Sequence, residues 1–139
     1  MYLIDTDVLS LLRRPERVPA LVGWVRLVPD AALHLSVITL GEIARGIERQ
    51  KDHDPAFAAA LEAWVGTVRT AYADRVLPFG AAEAVEWGRL SARLGHRSAD
   101  LMIAATARVG GLTVVTRNTR HFELTGVAVL DPMEETASR

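Results

Sequence analysis

Residues 2–9 read Tyr2-Leu3-Ile4-Asp5-Thr6-Asp7-Val8-Leu9. Three apolar residues run directly into an acid, and the apolar positions resume at Val8, Leu9, Leu11 and Leu12. The first run is too short for a helix and reads as a buried strand over 2–4. The second has helical spacing over 7–12 and stops before Pro15, whose ring cannot continue a helix. A strand, an acid and a helix within twelve residues make the opening of a strand–helix unit.

The remainder of the chain repeats that alternation. A helix is expected over 18–28, ending at Pro29, and a strand over 33–36. A helix follows over 39–50, with Leu40, Ile43, Ala44 and Ile47 on one face. Asp54 and Pro55 open a long helix through residue 72, as cap and first-turn residue. A strand over 76–78 and a helix over 80–94 come next. Ser98 caps a helix over 99–109 that Gly110-Gly111 ends. Strands over 113–116 and 127–130 complete the pattern, and residues 134–139 read as a loose tail. Alternation of this kind predicts an α/β domain, with a central parallel sheet of four to five strands and helices on both faces. The 139 residues suit one domain over 1–139.

Composition removes several chemistries. There is no cysteine, which excludes disulfides, thiolate zinc sites and cysteine nucleophiles and fits a cytoplasmic location. Met1 to Asp5 has no basic region and no long apolar run, so no signal peptide is expected. No stretch approaches the roughly 18 apolar residues of a membrane span, so the expectation is a soluble protein without a membrane. The net charge of −1 gives no general attraction to nucleic acid. Fifteen of the sixteen basic residues are arginine, which suits bidentate phosphate contacts, although a GC-rich genome gives the same bias.

In parallel sheets ligands bind beyond the carboxyl ends of the strands. Asp5 ends the first strand, Glu42 lies in the first turn or so of the helix after the second, Asp100 lies in the first turn after Ser98, and Asn118 follows the strand over 113–116. All four are expected at strand-to-helix junctions on one edge. Clustered carboxylates raise one another's pKa, and a hard divalent cation offsets that cost. Three acids and an amide oxygen suit Mg²⁺, as one ion or two. Each residue alone also has a plain structural role. Asp5 or Asp7 caps a helix, Glu42 pairs with Arg45 or Arg49, Asp100 favours a helix dipole, and Asn118 makes a turn.

Four local sequences, in order, resemble the motifs of the PIN-domain ribonucleases: Tyr2 to Leu9; Ser36-Val37-Ile38-Thr39-Leu40-Gly41-Glu42-Ile43; Asp100-Leu101-Met102-Ile103-Ala104-Ala105-Thr106-Ala107; and Thr116-Arg117-Asn118-Thr119-Arg120-His121-Phe122. The resemblance spans residues 2 to about 130. It implies a PIN-like fold and a Mg²⁺-dependent endoribonuclease in which Mn²⁺ is a possible substitute. At this length it implies the VapC-type toxin of a VapBC pair, cytoplasmic, homodimeric and neutralised by a VapB-type antitoxin. It places metal-binding roles on Asp5, Glu42 and Asp100, with Asn118 as the fourth catalytic position. Thr6, Asp7, Thr116 and His121 are supporting residues. Asp7 stands where asparagine is common, and His121 where many relatives carry aspartate. Arg45, Arg97, Arg117 and Arg120 are candidates for gripping RNA phosphates.

The other histidines, His34, His53 and His96, lack partners at metal spacing and read as structural or surface residues. Trp24, Trp64 and Trp87 lie within helical patterns and suit packing better than base stacking. Two other functions stay open. Ile4-Asp5-Thr6-Asp7-Val8 also resembles the opening of haloacid-dehalogenase-like phosphoryl-transfer enzymes, which need a downstream phosphate-holding lysine. Lys51, the one lysine, falls in a polar connector. A non-catalytic PIN RNA-binding module is the other.

Overall fold

The computed structural model describes the backbone of residues 1–137 and the side chains of residues 1–134. Five strands form one parallel sheet: β1 Tyr2–Ile4, β2 Leu33–Ser36, β3 Val76–Leu77, β4 Thr113–Val115 and β5 Val129–Leu130. Their order across the sheet is β3-β2-β1-β4-β5. The register pairs Tyr2 with Leu33 on one side of β1, and Tyr2, Leu3 and Ile4 with Thr113, Val114 and Val115 on the other. The chain builds outward from β1 to β2 and β3, then returns to add β4 and β5. The point where the order reverses lies between β1 and β4, and there a crevice opens beyond the strand ends.

Eight α-helices cover the sheet among the described residues: α1 Thr6–Leu11, α2 Pro19–Leu27, α3 Val37–Gln50, α4 Pro55–Ala71, α5 Ala81–Leu94, α6 Ala99–Gly110, α7 Thr119–Glu123 and α8 Pro132–Ala137. Successive strand residues point to opposite faces, and the core divides accordingly. Ile4, Leu33, Leu35 and Val115 pack with Val8 and Leu9 of α1, Leu21 and Trp24 of α2, Ile43 and Ile47 of α3, and Ala58 and Val68 of α4. Leu3 and Val114 pack on the other face with Leu90 of α5, Ile103, Ala104, Ala105 and Ala107 of α6, and Phe122 of α7. Burying one such large apolar side chain is worth about 1.5–3 kcal/mol. Helix α6 packs into the core through a run of small residues and ends at Gly111, whose φ of 66° suits a residue without Cβ.

The expected α/β sheet is present at its upper strand count. Four local differences bear on function. Helix α1 starts at Thr6, so Asp5 is its N-cap and accepts from Val8 N–H at 2.8 Å. Helix α3 starts at Val37, capped by the Ser36 hydroxyl, which moves Glu42 into the second turn. Helix α6 follows α5 through a short connection at Gly95, so Asp100 stands at a helix-to-helix junction rather than after a strand. Helix α7, unforeseen in sequence, carries His121. Helix α8 occupies the start of the segment read as a tail, and Ser138 and Arg139 lie outside the described residues. Among the described residues no helix is long and apolar enough to cross a membrane.

Candidate active site

The crevice between β1 and β4 is stitched by backbone. Asp5 N–H donates to Val115 C=O at 3.1 Å, which holds Asp5 level with the end of β4. The next residue of that strand's exit, Thr116, is fully buried and its side chain hydrogen-bonds the Asp5 carboxylate. Thr116 Oγ1 also accepts from Asn118 N–H at 2.9 Å, fixing the turn into α7. A cleft of about 320 Å³ opens here, lined by Asp5, Asp7, Arg117 and Asn118.

Asp5 is 4% exposed. Burial pushes its carboxyl up to about 6, against the hydrogen bonds from Thr116 and the Val8 N–H; the charges of Asp7 and Asp100 push the same way as burial. Asp100, half-buried at the start of α6, is raised too, chiefly by burial and further by Asp7, while His121 and His96 oppose the rise. Three acids from two distant parts of the chain therefore share one electrostatic site. The Asp100 Oδ2 lies 3.3 Å from His121 Nε2.

Glu42 reaches the site by a different route. Its Oε1 accepts from the Thr6 hydroxyl at 2.5 Å, and Thr6 Oγ1 is 3.0 Å from the hydroxyl of buried Thr39. The partner of Glu42 is thus α1, one residue beyond Asp5, rather than an arginine on its own helix. Asp7 is exposed at the cleft's lip.

Among the described residues, no three His, Asp or Glu side chains stand close enough to enclose a metal ion unaided. The donor set still suits a hard cation that keeps several waters and takes only one or two carboxylates directly. Asp5 and Asp100 are the acids able to do so: burial is the main cause that raises each carboxyl, the negative charge of Asp7 adds to both, and a cation there would favour the ionised forms.

Of the four arginines singled out in the sequence, Arg117 lines the cleft, whereas Arg45, Arg97 and Arg120 are solvent-exposed and do not line it. His96, expected as a structural or surface residue, has its ring 5.6 Å from that of His121, beside Asp100. The signal for it was its place four residues before Asp100, just past the glycine that ends α5. His34 is buried against the Ala32 carbonyl at 3.3 Å, as a structural histidine should be. Trp24 packs edge-on against Tyr2 in the core, and Trp64 and Trp87 pack against the two apolar faces. Lys51 pairs with Glu48 at 2.9 Å at the end of α3, so the phosphoryl-transfer reading lacks its lysine.

Residues 2–127 match the PIN domain family. The chain is similar to the VapC ribonuclease Y4jK of Sinorhizobium fredii, with 33% identity covering 96% of this chain and 99% of the relative. Its fold is similar to the crystal structure of FitAcB from Neisseria gonorrhoeae, with a TM-score of 0.82, 30% identity, and coverage of 95% of this chain and 98% of that one. It is also similar to DNA-bound VapBC from Salmonella typhimurium, with a TM-score of 0.77, 26% identity, and coverage of 94% and 97%. A sheet that gathers its acids at the β1–β4 crevice, and a match that spans nearly the whole length, lead to one statement: this chain belongs to the PIN domain family.

Proposed function

We propose that the chain is a Mg²⁺-dependent endoribonuclease, in which Mn²⁺ substitutes, and that it is the toxin of a VapBC-type pair in the cytoplasm. The observation that carries this reading is the gathering of buried Asp5, half-buried Asp100 and exposed Asp7 at one site, where the charge of Asp7 raises both other carboxyls and that of Asp100 adds to the rise at Asp5. The full-length similarity to a VapC ribonuclease supports the same reading.

Asp5 and Asp100 would hold the cation, with Glu42 behind them through Thr6. When bound, the cation supplies positive charge to the phosphodiester and lowers the pKa of a water. Thr116 and the α1 N-terminus keep the Asp5 carboxylate in one orientation. Asn118 and Arg117 face the cleft, where an amide and a guanidinium suit phosphate oxygens. Water adds to phosphorus, the bond to O3′ breaks, and O3′ takes a proton. The products carry a 5′-phosphate and a 3′-hydroxyl.

A groove of about 310 Å³ between α3 and α4 has an apolar floor of Leu40, Ala44, Ile47 and Val65, edged by Glu48, Lys51, Glu62 and Arg69. Such a groove fits an amphipathic antitoxin helix, and the similarity to VapBC supports a VapB-type partner. The test is RNA cleavage by wild type and Asp5→Asn, with Mg²⁺ and with chelator. Wild type should cut only with the metal and leave 5′-phosphate ends, and the variant should stay folded and lose nearly all cleavage. A 2′,3′-cyclic phosphate, or undiminished cleavage by Asp5→Asn, overturns the reading.

A further inference from the structure

His121 stands where the site would least tolerate another anion. Asp5, Asp7 and Asp100 already repel one another there. The residue reaches Asp100 from α7, a five-residue helix anchored by buried Phe122. Phe122 lies edge-on to the imidazole with ring centroids 6.0 Å apart, and His96 covers it on another side at 5.6 Å. His96 is itself oriented, since its Nδ1 accepts from Ser98 N–H at 3.4 Å, at the entry to the helix that carries Asp100. The imidazole thus lies between two rings. Among the described residues, His121 is the side chain that forms an ion-pair contact with the Asp100 carboxylate, with Nε2 3.3 Å from Oδ2.

We propose that His121 is a positioning residue: its Nε2–H holds Oδ2 of Asp100, which fixes the carboxylate and leaves the other oxygen for the cation. The inference rests on the nuclease reading above and assigns one residue within it. A ring N–H satisfies one lone pair of the carboxylate and adds no negative charge, unlike an acid at the same position. Partners that orient a ligating side chain in this way typically govern metal affinity as well as geometry.

The test is Mn²⁺ binding to the full chain, followed by electron paramagnetic resonance, alongside steady-state RNA cleavage. Variants are His121→Leu, which fills the space without a donor, and His121→Gln, which keeps an N–H at similar reach. His121→Leu should weaken Mn²⁺ binding by about tenfold and lower kcat, with KM for RNA within about twofold. His121→Gln should recover most of both. If the leucine variant does not fold, His121→Thr, too short to reach Oδ2, takes its place. Wild-type binding by His121→Leu, or equal losses in Leu and Gln variants, overturns the positioning role. Asp5→Asn separates the two readings. If wild type binds Mn²⁺, Asp5→Asn abolishes binding and His121→Leu has no effect, only the positioning role fails. If wild type binds no Mn²⁺, the nuclease centre fails with it.

Discussion

Thr116, the first residue beyond β4, hydrogen-bonds the carboxylate of Asp5, the first residue beyond β1. The two strands are paired neighbours, so the contact follows from register: Ile4 is opposite Val115, and the next residues out must meet. It joins the fold's reversal point to its most buried acid. Neither residue's role is readable without the other.

Thr116→Val keeps shape and removes both hydrogen bonds. It should cost about 1–3 kcal/mol, since it leaves a buried carboxylate and the Asn118 N–H without their partner. Because the hydroxyl lowers the Asp5 pKa, its loss raises that pKa further. The acid limb of the pH–rate profile for RNA cleavage should therefore move to higher pH. An unmoved limb would contradict the link.

Asp5 should make stability depend on pH in an unusual direction. In the unfolded chain the carboxyl ionises near 3.8, in the folded chain near 6. Between those values the folded state holds a proton that the unfolded state has lost, so stability falls as pH rises, and the deficit persists above 6. In metal-free buffer at pH 8, Asp5→Asn should be more stable than wild type, by up to about 3 kcal/mol, because asparagine still caps α1. The gap should close towards pH 4. Added Mg²⁺ should raise the wild-type Tm at pH 8 and leave that of the variant unchanged. Thermal unfolding across this pH range measures both effects.

Thr6 links Glu42 to the first motif, with Thr39 behind it. Thr6→Val should lower kcat/KM for RNA by about tenfold, the equivalent of one hydrogen bond to a charged group. Thr6→Ser should retain activity. Equal activity in Val and wild type would remove Glu42's tether from the account.

Arg117 is the arginine that lines the cleft. Arg117→Gln should raise KM for RNA several-fold and reduce the salt dependence of binding, as loss of one phosphate contact does. Arg45→Gln, Arg97→Gln and Arg120→Gln should change KM less. Binding titrations at two salt concentrations compare the four.

The sheet was legible because buried parallel strands write themselves as short apolar runs, and Leu3, Leu35 and Val114 are such residues. Asp5 and Asp100 were legible as acids at helix starts. Their company was not. His96 and His121 meet only because the α5–α6 connection and α7 arrive at the same place, a tertiary fact with no period in the sequence. Helix α7 is one and a half turns long, too short for periodicity to mark. The start of Glu42's helix was read two residues too late because Ser36, the last residue of β2, also caps α3 and lets the helix begin without a linker.

The central claim is that Asp5 and Asp100 share one divalent cation. Anomalous scattering from crystals of the wild-type chain equilibrated with Mn²⁺ tests it most directly. The account predicts a peak within coordination distance, about 2.0–2.3 Å, of a carboxylate oxygen from each residue, and its loss in Asp5→Asn. A saturating soak that leaves no peak between them would contradict it.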